Sequence, residues 1–301
     1  MPAPDDRRVL ALFGPTGVGK TAVAIAIADR LRARGEHPVA VSADALQLYA
    51  GLEILTGAAN AQEQARLDHR LLGFLPIDAR CSAGEFAQLA HAEIDGLLAA
   101  GARPIVVGGT GLYLRAALAD LALRPPPPDE VRARFEAELE RVGPEALHAR
   151  LARTAPWAAE GIEPRDRSRI VRALELLELG ELEPPQGASQ LWTADTRHPT
   201  RLVGLMMDRE ALYLRIDARV EAMVAGGAVA EVRAAHAAGA SATARKALGF
   251  DDLLRGDIEA MKRRTRNYAK RQLTWMRKLG GVELVDVTGR DPTDLAAELE
   301  P

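Results

Sequence analysis

The chain has 301 residues, 48% hydrophobic and 27% charged, with a formal net charge of −3; this suits one or two globular domains with a sizeable core and excludes a disordered or fibrous chain. A single cysteine, Cys81, excludes an internal disulfide and a thiolate cluster for structural zinc. The longest unbroken apolar run, 22–28, is far short of the ~20 residues that cross a bilayer. Acids and a proline stand at the start, where a secretory leader would be apolar, so a cytoplasmic protein with no membrane partner is expected.

Residues 9–13 (VLALF) read as a strand, and 20–33 then switch to helical spacing of Ala, Ile and Leu. Between them stand Gly14, Pro15, Thr16, Gly17, Val18, Gly19, Lys20 and Thr21, which match G-x-x-x-x-G-K-[ST] in the strand, loop and helix context that motif requires. The glycines let backbone N–H groups turn inward onto phosphate oxygens at the positive end of a helix. Lys20 adds a full positive charge, and Thr21 offers a hydroxyl to Mg²⁺. A di- or triphosphate is the expected ligand.

Further strands are expected at 38–42 (PVAVS), closing at Asp44, and at 104–108 (PIVVG), closing at Gly108 and Gly109. Between them Ser82 and Glu85 form a capping-box pattern that opens a helix running to Gly101. Short apolar strands alternating with helices indicate an α/β fold, a P-loop NTPase-like parallel sheet covered by helices. A phosphate-hydrolysing enzyme would carry a strand ending in an acid that holds Mg²⁺ or positions water. Here 105–108 runs into Gly108, Gly109 and Thr110, leaving Asp44 and Asp208 as the available carboxylates and weakening that reading.

Four consecutive prolines at 125–128 break the rhythm as a stiff connector. Residues 129–180 carry only helical periodicity, so 122–198 are expected to form a small all-helical insertion in a core assembled from 1–121 and 199–301. A strand at 201–207, helices over 209–226, 228–239 and 256–279, and a strand at 282–287 complete the pattern. Between Lys262 and Lys278 lie eight basic residues and no acid, and Arg165, Arg167, Arg169 and Arg172 surround Asp166. Such local fields attract phosphates even on a mildly acidic protein. With 34 arginines against five lysines, a GC-rich genome accounts for much of the arginine, and the ordinary place for any one of them is a solvated surface. Tyr268 and Trp275, seven residues apart, share a helical face and are expected to pack.

Several separated segments point further. GPTGVGKT (14–21), SADALQLYAGLEI (42–54), SAGEF (82–86), VVGGTGLYLRA (106–116), DRSRIVRALEL (166–176), LYLRIDARVEAM (212–223) and YAKRQLTWMR (268–277) together resemble the tRNA dimethylallyltransferases, in collinear order across about the whole chain. The resemblance implies transfer of a dimethylallyl group from dimethylallyl diphosphate to N6 of adenosine 37 in a tRNA anticodon stem-loop; Mg²⁺, from the loop threonine, is the expected cofactor, and a monomer is expected. Asp44 matches the family's catalytic aspartate and would act as general base; otherwise a carboxylate there caps a helix over 45–50 or binds the metal. Thr110 matches a threonine that positions the amine or bridges to the diphosphate, and Arg219 an arginine on the diphosphate, with Arg215 a weaker candidate one turn earlier. For tRNA the resemblance points to Asp44, Ala45, Leu46 and Gln47, to Arg132, Ser168, Arg169, Ile170, Val171 and Arg172 on the insertion, and to Lys246, Ala247, Leu248, Gly249, Phe250 and Asp251. The insertion would then clasp the anticodon stem as a second jaw.

This sequence also departs from the family. Leu55, Thr56, Gly57 and Ala58 stand where the family usually carries a lysine-containing stretch, Cys81 replaces a tyrosine, and 181–195 differ from the usual continuation. Three other readings stay open at this level: a P-loop kinase using Asp44 to deprotonate an alcohol, a prenyltransferase for free adenine nucleotides, and a non-catalytic RNA-binding protein with an inherited phosphate loop.

Overall fold

A computed structural model describes residues 9–184 and 189–299. Its sheet has six parallel strands in the order β3-β2-β4-β1-β5-β6, with β1 Val9–Phe13, β2 Pro38–Ser42, β3 His69–Arg70, β4 Arg103–Gly108, β5 Thr200–Met206 and β6 Val282–Asp286. The strands are apolar without interruption because helices cover both faces. On β1, Leu10 and Leu12 point into one core with Ile27, Leu31 and Val203, while Val9, Ala11 and Phe13 point into the other with Phe86, Ile94 and Leu114. In register, Phe13 lies opposite Gly108 of β4 on one side and Gly204 of β5 on the other, and Ser42 of β2 lies opposite Val107. The residues that follow β1, β2 and β4 therefore leave the sheet at one edge, outside the carboxyl ends of the strands, where open α/β sheets bind ligands.

The helix Lys20–Ala33 crosses from β1 to β2, and Ala83–Ala99 leads into β4. The latter opens on the expected capping box: the Ser82 hydroxyl accepts from the Glu85 N–H and the Glu85 carboxylate accepts from the Ser82 N–H. Among the elements that escape the sequence pattern are β3, the short helices Glu53–Thr56, Ala61–Arg66 and Phe250–Leu254, and Pro292–Leu299, whose Leu295, Ala296 and Leu299 are buried in the core that includes Ile27 and Leu31.

The chain divides into two compact units, residues 9–123 with 190–299, and residues 124–184 with Ser189. The seams lie inside the 122–198 span assigned to the insertion from sequence. Residues 190–198 pack with the core because Arg115, only 1% exposed, donates to the carbonyls of Gln190 and Asp195 at 3.0 Å each. The Arg197 N–H donates to the Leu118 carbonyl at 2.8 Å, and Trp192 packs on Trp275 with ring centroids 4.5 Å apart and the planes tilted by 48°.

The second unit comprises the helices Asp129–Val142, Pro144–Thr154, Pro156–Glu160 and Arg167–Glu178 around Phe135, Leu147, Leu151, Ile170 and Leu174. It carries ten arginines against thirteen acids, so it is not basic overall. Much of the arginine is neutralised internally. Arg132 makes a bidentate pair with the fully buried Glu175 (2.8 and 2.9 Å), and Arg134 pairs with Glu178, Arg150 with Glu138, and Arg167 with Glu140. Glu175 without Arg132 is a buried carboxylate facing only the more distant Arg172, at 3.4 Å. Arg132→Ala is therefore expected to destabilise this unit by about 3 kcal/mol, and Arg134→Ala, which breaks an exposed pair, by less than about 1 kcal/mol. Denaturant unfolding of both variants checks this, and equal losses would contradict it.

Candidate active site

The phosphate loop is forced into shape by steric constraints. A Cβ on Gly14 would lie 2.9 Å from the Leu205 carbonyl oxygen, and Gly19 has φ 103°, in the left-handed region. The Lys20 ammonium folds back over the loop, donating to the carbonyls of Gly14 (2.9 Å) and Pro15 (3.1 Å). Burial lowers its pKa to about 8, with the nearby Arg219 acting in the same direction and Asp44 opposing. Val18 is buried in the core, whereas Thr16, Gly17, Gly19, Lys20 and Thr21 line a cleft of about 600 Å³.

Asp44 opens onto this cleft just beyond the end of β2. Residues 45–50 form tight turns, not a helix; the Asp44 carboxylate accepts the Leu46 N–H at 3.1 Å. Burial pushes the carboxyl pKa up, and that N–H together with the positive charges of Lys20 and Arg219 partly offsets the rise. Gln47 is held by the Ser42 hydroxyl (3.2 Å) and reaches the carbonyls of Thr56 and Gly57 (3.4 Å each).

Arg215 and Arg219, one turn apart on the helix Arg209–Ala225, both face the cleft. Arg215 donates to the Gly17 carbonyl at 3.0 Å and Arg219 to the Gly57 carbonyl at 2.9 Å. The Arg219 Nε is buried with no hydrogen-bond partner among the described residues, and burial lowers the pKa of its guanidinium. A buried cationic donor without an acceptor is costly unless an anion completes it. The 53–57 wall that Arg219 grips is itself fixed by Glu231, whose carboxylate accepts the N–H groups of Ile54 (2.8 Å) and Leu55 (2.7 Å).

Thr110 occupies the N-cap position of the helix Gly111–Leu118, yet its side chain makes no capping bond; its hydroxyl lies 3.0 Å from the Tyr268 hydroxyl. Tyr268 lines the cleft, and burial beside Asp44 pushes its pKa up to about 12, so it stays protonated. The packing expected of Tyr268 and Trp275 therefore divides: Trp275 packs on Trp192, and Tyr268 belongs to the site. Sequence reasoning also missed Gln272, although a signal was present, since a polar residue between Ala269 and Met276 on a buried helical row needs partners.

The residues named for tRNA contact belong to both units and differ in exposure. Ile170 and Val171 are core side chains of the helical unit, at 0% and 5% exposure, and Ala247 and Phe250 are buried in the catalytic unit. Arg172 donates to the Pro125 carbonyl at 2.7 Å, and Ser168 and Arg169 lie on the exposed side of their helix. Leu46, Gln47 and Leu248 line the cleft, while Asp251 pairs with Arg245 at 3.1 Å, Lys246 is exposed, and Gly249, at φ 90°, packs on Met261. Among the described residues no group of three or more His, Cys, Asp or Glu is arranged to hold a metal, and no helix is long and apolar enough to cross a membrane.

A cleft with a phosphate loop, an incompletely bonded arginine and a recessed carboxylate is suited to expelling an anionic leaving group next to a base. The family model described as IPP transferase matches residues 47–279, and that described as isopentenyl transferase matches residues 7–78. A tRNA dimethylallyltransferase of Kineococcus radiotolerans is 42% identical, over 96% of this chain and 94% of its own, and one of Nitrobacter hamburgensis is 40% identical, over 96% and 92%. The crystal structure of the full-length tRNA isopentenylpyrophosphate transferase of Bacillus halodurans superposes with a TM-score of 0.69 at 30% identity, covering 98% of this chain and 94% of that one. Fold, loop and sequence together place this chain in the IPP transferase family, alongside these tRNA dimethylallyltransferases.

Proposed function

We propose that the protein transfers a dimethylallyl group from dimethylallyl diphosphate to N6 of adenosine 37 in tRNA, in the cytoplasm where tRNA is used. The observation that carries this reading is the shared cleft of Lys20, Arg219 and Asp44, which sets an anion cradle beside a buried carboxylate. In the reaction the allylic C1–O bond breaks and its electron pair leaves with the diphosphate, while the N6 lone pair forms the new C–N bond and an N6 proton passes to the Asp44 carboxylate. The loop N–H groups, Lys20 and Arg219 stabilise charge that grows on the leaving oxygens, so binding the diphosphate tightly as it departs is itself catalysis. The exocyclic amine is a feeble nucleophile because its lone pair is delocalised into the ring, which gives the base its purpose.

Thr21, on the cleft at the start of the first helix, offers one hydroxyl, and this donor set fits Mg²⁺ because that ion takes its remaining ligands from the diphosphate and water. When bound, Mg²⁺ neutralises charge on the leaving group. The adenosine must leave its stack to enter the cleft, at a cost of only a few kcal/mol from a single-stranded loop. The helical unit and the basic helix Ile258–Lys278 are the candidates for backbone contact, which orients tRNA without reading its sequence.

The direct test supplies Mg²⁺, unmodified tRNA and either labelled dimethylallyl diphosphate or ATP labelled in its γ-phosphate. Label entering tRNA from the prenyl donor alone supports the reading, whereas phosphate transfer to any acceptor favours a kinase. The pH profile of kcat/KM for the donor should be bell-shaped. On the alkaline side it falls with an apparent pKa of about 8, because Lys20 loses the charge that grips diphosphate. On the acid side it falls as Asp44 is protonated, at a pH above that of a free carboxylate because burial raises its pKa. A profile flat through both limbs would contradict these assignments.

A further inference from the structure

Gln272 is 4% exposed, on the row of the basic helix that also buries Thr265, Ala269 and Met276. A primary amide there has lost its hydration and must be compensated. Besides a side-chain contact with Tyr268 on its own helix, two of its bonds leave the helix: Oε1 accepts the N–H of Thr16 at 2.9 Å, and Nε2 donates to the carbonyl of Gly109 at 2.6 Å. The amide orientation is dictated, because a flip would set donor against donor at Thr16 and acceptor against acceptor at Gly109. Gly109 has no room for more, since a Cβ would lie 2.4 Å from the Gln272 nitrogen. One turn earlier on the same helix, the Tyr268 hydroxyl meets Thr110.

The loops after β1 and β4 are registered by the sheet only as far as Phe13 and Gly108. Beyond those residues no ladder bond sets their separation, and the Gln272 amide joins them directly. We infer that Gln272 is a positioning residue for the transfer reaction: it fixes the phosphate loop relative to Thr110, and so the departing diphosphate relative to the incoming amine. This rests on the prenyl-transfer reading above. Misplacement of reacting groups by about 1 Å costs on the order of 10²-fold in rate, so the effect belongs in turnover and not in anion affinity.

The test uses the full chain in single-turnover transfer from labelled dimethylallyl diphosphate to unmodified tRNA, with affinity for inorganic pyrophosphate measured separately. Gln272→Ala should slow transfer by about 10²-fold while changing the pyrophosphate Kd by less than about threefold. Gln272→Glu keeps an acceptor for Thr16 but loses the donor to Gly109, and should show the same division. Adding Gln272→Ala to Thr110→Ala should slow transfer little beyond the worse single variant, because both act through one placement. Multiplicative losses in the double variant, a parallel fall in rate and pyrophosphate affinity, or full activity in both Gln272 variants would overturn the inference while wild-type transfer upholds the function. A wild-type chain that moves no prenyl group overturns both.

Discussion

Asp44→Asn is expected to slow transfer by ~10²–10⁴-fold, the range for a lost general base, with donor binding unchanged or tighter. The substitution keeps the shape of the side chain and the acceptor for the Leu46 N–H at 3.1 Å. It removes a negative charge that acts on Lys20 and, less than Glu63 does, on Arg219, and with it a charge that repels diphosphate. Rate and affinity should therefore move apart, which single-turnover kinetics and equilibrium binding of dimethylallyl diphosphate measure separately. A fall in affinity at unchanged rate would mean that Asp44 holds the ligand and does not take the proton.

Lys20→Ala attacks the other half of the reaction. Among the described residues its ammonium is the one lysine charge lining the cleft, and it is already desolvated, so it faces the anion with little reorganisation. Removal should cost about 10²–10³-fold in turnover, the scale for one preorganised group on a developing anion, together with a higher KM for the donor. Lys20→Arg should not rescue it, because the compact ammonium folds back between two loop carbonyls at 2.9 and 3.1 Å, where a planar guanidinium does not fit. Steady-state kinetics in donor concentration check both, and an arginine variant near wild-type rate would show that charge alone suffices.

The parts of this molecule governed by short-range rules were legible in its sequence. The apolar run before Gly14, the Gly14–Thr21 loop and the Ser82 and Glu85 capping box each follow from local chemistry, and the structure builds them where expected. Two-residue β3 and the helix Glu53–Thr56 are too short to establish a period, and tertiary bonds such as those from Glu231 hold the latter. A motif does not show which side of a helix each of its residues faces, and within 168–172 Ile170 and Val171 are buried in the helical unit while Ser168 and Arg169 are exposed. Arg132 is visible as a charge, but its partner is Glu175, 43 positions away and brought alongside only by packing of the helical unit. Gln272 illustrates the converse, a polar side chain in an apolar row whose partners in two distant loops no spacing reveals.

The most direct measurement is a structure of the protein with tRNA and an unreactive thio analogue of dimethylallyl diphosphate. The diphosphate is expected on the N–H groups of the Gly14–Thr21 loop, with an Asp44 carboxylate oxygen about 3 Å from the N6 of an extruded adenosine. An adenosine bound with its amine turned away from Asp44, or a donor seated apart from the loop, would contradict it.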